Sequence, residues 1–149
     1  MTKSALFFPG QGSQSVGMMA GFDGIAIIKE TFNEASDLLG VDFWSMVTEE
    51  NDLLNQTQHT QPLMLAAGVA TWRVYQIMKG ETPAFLAGHS LGEYTALVAS
   101  GAISYTDALP LVKFRAEAMQ NAVPEGVGAM AAILGLDDAT VNAVCIDAA

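Results

Sequence analysis

Hydrophobic and polar positions along the chain follow two rhythms: short apolar runs broken by glycine or proline, and longer stretches with apolar residues at helical spacing. "SALFF" (residues 4–8) is a short apolar run stopped by Pro9 and the glycine-rich "PGQGSQSVGM", the pattern of a buried strand that enters a loop. Over residues 24–39, Ile25, Ile28, Phe32, Ala35 and Leu39 recur at helical spacing, and Gly40 stands where a C-terminal cap belongs. Residues 42–60 are polar and mixed, with Leu53 and Leu54 as anchors, and read mostly as loop and short helix. "TQPLMLAAGVATWRVYQIMKG" is apolar nearly all round, with Pro62 near its start and Gly80 past its end, so it predicts a well-buried helix. A second strand is predicted over residues 84–87, then a sharp turn, then the helix "LGEYTALVAS" closed by Gly101. Residues 104–122 predict another helix, starting at Ser104 or Thr106, the later start placing Pro110 in the first turn. After "PEG" an apolar run long enough for a strand and an Asp-initiated helix begin a second unit. The chain thus divides into residues 1–125, a larger α/β unit, and residues 126–149, the start of a second unit that looks truncated.

The turn between the second strand and its helix is "GHSLG" (residues 88–92), a G-x-S-x-G pattern in the strand–turn–helix context that such a pattern needs. Ser90 is either part of a structural turn or a nucleophile held on a strained elbow. In the second case Gly88 and Gly92 permit the tight turn, and the N–H of Leu91 points where an oxyanion would develop. A second donor must come from another loop. Parallel strands put the loop after the first strand on the same carboxyl edge, and its glycines at 10 and 12 leave the backbone of Gln11 exposed. Glycine-rich loops after a first strand also bind phosphate, but this one lacks both the G-x-G-x-x-G spacing and a Walker lysine.

A serine nucleophile needs a base, and the chain has two histidines. His89 adjoins the serine on a tight turn, where neighbouring side chains diverge, and reads as a packing residue. His59 lies in the polar loop before a helix and reads as a surface or capping residue. Neither is assigned as base. On the last long helix, Ala108, Leu109, Val112, Ala116 and Met119 share one face, and Arg115 falls within that arc. An inward guanidinium requires an anion: either a structural carboxylate such as Glu93 or Glu117, or the carboxylate of a substrate, which the planar fork of arginine suits. Glu93 itself reads as a solvated charge or a backbone cap.

Composition narrows the partners. A net charge of −10, with six Lys plus Arg against sixteen Asp plus Glu, speaks against nucleic acid or an anionic membrane as partner. A lone cysteine, Cys145, forms no internal disulfide; no apolar run approaches the roughly 20 residues of a bilayer span, and no secretory leader is read at the N-terminus, so the expected location is cytoplasmic. No metal or cofactor set is read.

Taken together, "FPGQGSQ", "TQP", "AGHSLGEYTALVASG", an arginine in the following helix and "VPEGVGAMAAILGLDD" resemble the malonyl-CoA:acyl carrier protein transacylases of bacterial fatty acid synthesis, from Ala5 to the last residue. Acyltransferase domains of polyketide synthases carry similar motifs, and a chain starting at its own Met1 favours the free-standing enzyme. The resemblance implies an α/β-hydrolase-like larger subdomain with a parallel sheet and the start of a ferredoxin-like smaller one. It implies Ser90 as the acylated nucleophile, the amides of Gln11 and Leu91 as the oxyanion hole, Arg115 as the clamp on the malonyl carboxylate, and Gln61 at the active-site rim. Malonyl-CoA would be a substrate, not a cofactor, and acyl carrier protein the second partner; carrier proteins are acidic like this chain, so docking would use a local basic cluster or the absent half. Family members are about twice as long, and their catalytic histidine lies in a half that would follow residue 149. The alternatives are a serine esterase or thioesterase, with water as acceptor, and an inactive fragment lacking the base.

Overall fold

A computed structural model describes residues 3–124, 127 and 133–148. The fold is mixed α/β. Strand β1 (Ala5–Phe8) leads through a loop and a 3-10 turn (Ala20–Phe22) to α1 (Ala26–Leu39) and α2 (Phe43–Thr48). The long α3 (Thr57–Ile77) precedes β2 (Phe85–Gly88), α4 (Gly92–Ala99) and α5 (Tyr105–Gln120); α6 (Asp138–Asp147) comes last.

Local signals explain most boundaries. Gly40 closes α1 in the left-handed conformation at φ 71°, and its N–H donates to the Ser36 carbonyl. Asp42 caps α2 by accepting from the Ser45 amide, Ser104 caps α5 by accepting from Asp107, and Asp137 caps α6 by accepting from Thr140. The cap at Ser104 selects the earlier of the two predicted starts, so Pro110 stands as the sixth residue of α5, past the first turn. One helical hydrogen bond is lost there, and the cap and the buried face outweigh it. The start of α3 departs from expectation: it begins at Thr57, so His59 sits in the first turn of the helix and not in a loop. Pro62 is correspondingly one turn inside.

The core is built round α3. Leu63, Leu65, Ala66 and Ala70 are completely buried, enclosed by Ile28, Phe32 and Ala35 of α1 and Ala108, Leu109 and Val112 of α5. Each large side chain buried this way contributes about 2 kcal/mol by leaving water. A polar tie adds direction to the packing: Arg73 of α3 forms a two-pronged pair with Glu34 of α1 and donates to the Thr31 hydroxyl, while the Tyr105 hydroxyl of α5 donates to the Thr31 carbonyl. Burial pushes the Tyr105 phenol well above its ordinary value, so it stays a donor.

β1 and β2 pair in parallel, Ala5 with Phe85 through Phe8 with Gly88, which brings the loops at both carboxyl ends together as predicted. The expectation that β1 is buried holds on one face only. Phe8 is buried, but Phe7 and Phe85 on the opposite face are 78% and 61% exposed, because no described element covers that face. Of the expected second unit, α6 is present with no buried residue, and Ile133 and Leu134 are not in a strand. Residues 128–132 of the predicted strand, and the proposed boundary near Gly126, lie outside the described residues.

Candidate active site

The elbow depends on three close backbone approaches that only glycine allows. A Cβ on Gly88 would lie 2.0 Å from the carbonyl carbon of Gly92; one on Gly92 would lie 2.1 Å from the Phe8 carbonyl oxygen; one on Gly10 would lie 2.8 Å from the His89 carbonyl oxygen. The first pins strand to helix, and the other two press the end of β1 and its loop against the turn. The His89 amide donates to the Phe8 carbonyl at 3.2 Å, carrying the parallel ladder one residue beyond the strands. Ser90 then adopts φ 53°, a left-handed conformation unusual for a residue with a Cβ, and its side chain is exposed at the sheet's carboxyl edge. Strain of this kind persists only where the surroundings enforce it.

Two backbone donors stand free nearby. Among the described residues neither the Leu91 amide nor the Gln11 amide has an acceptor, and the Gly10 contact places Gln11 one residue from the elbow. Leu91 itself is buried, which fixes the start of α4, whereas Gln11 is exposed.

Side chains from three other segments join the serine. Arg115 of α5 donates from Nη2 to Ser90 Oγ at 2.9 Å and from Nη1 to Gln61 Oε1. Gln61 Nε2 donates to Gln11 Oε1 at 3.4 Å and to Met119 Sδ at 3.3 Å, and Gln11 Nε2 donates to Thr57 Oγ1 at 3.2 Å. Ser90, Arg115, Gln61 and Gln11 therefore form one continuous chain of contacts. The structure corrects the placement of Gln61, which is completely buried beneath the arginine and not at a rim. A Gln61 amide with partners on both oxygen and nitrogen is held in one orientation, and it aims the guanidinium. Neither Glu93 nor Glu117 pairs with Arg115; among the described residues it has no carboxylate within 4.0 Å, and the ring of Tyr94 lies 5.7 Å beneath it. Glu93 is exposed in the first turn of α4, where its charge complements the helix N-terminus.

Neither histidine reaches the serine hydroxyl. His89 is exposed and packs along Gly10, while His59 is lowered in pKa by partial burial and then by the Lys113 charge. Among the described residues, the side chain hydrogen-bonded to Ser90 Oγ is that of Arg115. The sequence reading missed Thr57, Tyr94 and Met119, which position Gln11, Arg115 and Gln61. Met119 was visible on the same helical face as Arg115; Thr57 and Tyr94 carry no sequence signal of their own.

The acyl transferase domain family model matches residues 6–148. The chain is 52% identical over 151 residues to malonyl CoA-acyl carrier protein transacylase of Salmonella typhimurium, covering 100% of this chain and 49% of the relative. It is 53% identical to that of Escherichia coli K12, with the same coverage. Among solved structures it is similar to the acyl-carrier-protein S-malonyltransferase of Burkholderia pseudomallei, at TM-score 0.89 and 59% identity over 99% of this chain and 48% of that one. It is also similar to a malonyl-transacylase solved in complex with its type II PKS acyl-carrier protein, at TM-score 0.91 and 48% identity over 98% of this chain and 48% of that one. The chain spans about half the length of the curated relatives it matches.

Proposed function

Because the chain belongs to the acyl transferase domain family, we propose that it supplies the nucleophile and the carboxylate clamp of a malonyl-CoA:acyl carrier protein transacylase. The observation that carries this reading is the contact of Arg115 with Ser90: a guanidinium that pairs with no carboxylate among the described residues, held beside a strained, exposed serine. In the first half-reaction Ser90 Oγ attacks the thioester carbonyl of malonyl-CoA. The hydroxyl proton passes to a general base, which the family resemblance puts in a half following residue 149. The tetrahedral oxyanion is received by the amides of Leu91 and Gln11. Collapse breaks the C–S bond, coenzyme A leaves as the thiol, and malonyl remains as a serine ester. The phosphopantetheine thiol of acyl carrier protein attacks that ester in the second half-reaction and restores the serine. The relative solved with its carrier protein supports the second partner. The same proposal places the protein in the cytoplasm.

Hydrolysis by a serine esterase would use the same elbow, but an apolar acyl group offers the guanidinium no carboxylate, whereas malonyl does. The test is steady-state transfer by the enzyme containing this chain. Ping-pong kinetics with a thiol acceptor, and a loss of about a thousandfold or more in Ser90→Ala, are expected; release of free malonate in place of transfer would favour the hydrolase.

A further inference from the structure

We propose that Arg115 masks the Ser90 hydroxyl in the unliganded site and that a carboxylate on the acyl donor unmasks it by taking over the guanidinium. This rests on the transacylase reading above and adds a step to it: the charge of the acyl group governs release of the nucleophile as well as binding.

Both ends of the arginine fork are engaged with neutral acceptors, Gln61 Oε1 and Ser90 Oγ. The two ends are not equivalent. Gln61 is completely buried and tied to Gln11 and Met119, and the guanidinium rests over Tyr94, so that end is anchored. Ser90 is exposed, and its contact is the one a ligand can exchange. A hydroxyl oxygen has two lone pairs; the N–H of a cation on one of them withdraws electron density and leaves Oγ less able to attack. A carboxylate outcompetes a hydroxyl for the same donor, because it brings a full opposite charge and two acceptor oxygens that match the planar fork of the guanidinium. Among the described residues no carboxylate pairs with Arg115, so none of them lifts the mask. Neutral acyl donors therefore meet a covered nucleophile, and a malonyl donor brings its own key.

The consequence can be separated from simple clamping by supplying the carboxylate apart from the acyl group. In the enzyme containing this chain, single-turnover acylation of Ser90 by acetyl-CoA is followed by intact mass with added sodium formate, against sodium chloride at equal ionic strength. Formate is expected to raise the acetylation rate saturably by roughly tenfold, the ratio set by exchanging a hydroxyl for a carboxylate on the guanidinium. Chloride is expected to do nothing. Arg115→Met is expected to acetylate at the faster rate without formate and to ignore it; should that variant not fold, the formate–chloride comparison in the unaltered enzyme decides alone. Inhibition or no response to formate, with malonyl-CoA still acylating Ser90 in the same preparation, overturns the mask and leaves the transacylase reading intact. Failure of malonyl-CoA to acylate Ser90 overturns both.

Discussion

The carbonyl oxygen of Phe8 lies 2.1 Å from where a Cβ on Gly92 would stand, so the end of β1 and the first residue of α4 touch backbone to backbone. Alanine at a helical position normally gains about 1 kcal/mol over glycine. Here the clash is with main chain on both sides, which cannot swing aside, and it outweighs that gain. Gly92→Ala is expected to lower unfolding free energy by about 3 kcal/mol, read from urea denaturation. An unchanged or raised midpoint would show that the two backbones are not in contact.

Gln61 is the hinge between the arginine and the loop after β1. Gln61→Ala leaves Arg115 Nη1 without its buried acceptor and frees the guanidinium to wander. Malonyl transfer is expected to fall by roughly tenfold to a hundredfold in kcat/KM, with a smaller effect on acetyl transfer. Equal losses with both donors would mark Gln61 as a general packing residue.

Arg115→Ala carries the complementary expectation. Malonyl transfer should fall by about a hundredfold or more, since a charge-assisted pair to the carboxylate is removed, while acetyl transfer rises because the Ser90 hydroxyl is uncovered. Competing the two thioesters in one reaction and measuring the acyl-enzyme ratio checks this directly.

What the residues disclosed in advance was local. The elbow was legible because glycines at 88 and 92 around a serine, between an apolar run and a helical pattern, leave few other ways to turn. Arg115 was placed on a buried face from helical angle alone, but whether it met Glu93, Glu117 or Ser90 depends on how α3, α4 and α5 cross, which no spacing encodes. Gln61 at the rim came from the family resemblance alone; its burial beneath Arg115 depends on the same crossing of helices, with α3 beginning four residues earlier, at Thr57. The apolar run "SALFF" predicts a buried strand, whereas the described residues cover the Phe8 face and leave Phe7 open.

His59 gives the fold a pH dependence of known sign. Partial burial, then the Lys113 charge, lowers its pKa below the ordinary 6.5, so the folded state favours the neutral ring. The unfolded chain binds its proton first as pH falls through 6.5, and stability is lost from there down to the folded-state pKa. The urea midpoint of the unaltered protein is expected to drop more between neutral and mildly acidic pH than that of His59→Gln. Parallel pH profiles would contradict this.

Acylation at position 90 is the event on which the account stands. The direct measurement is peptide mapping by mass spectrometry of the enzyme containing this chain after brief exposure to malonyl-CoA and acid quench. One malonyl group is expected on the peptide that carries Ser90, removed by a pantetheine thiol and absent in Ser90→Ala. A malonyl adduct on another residue, or an adduct that persists in Ser90→Ala, would contradict it.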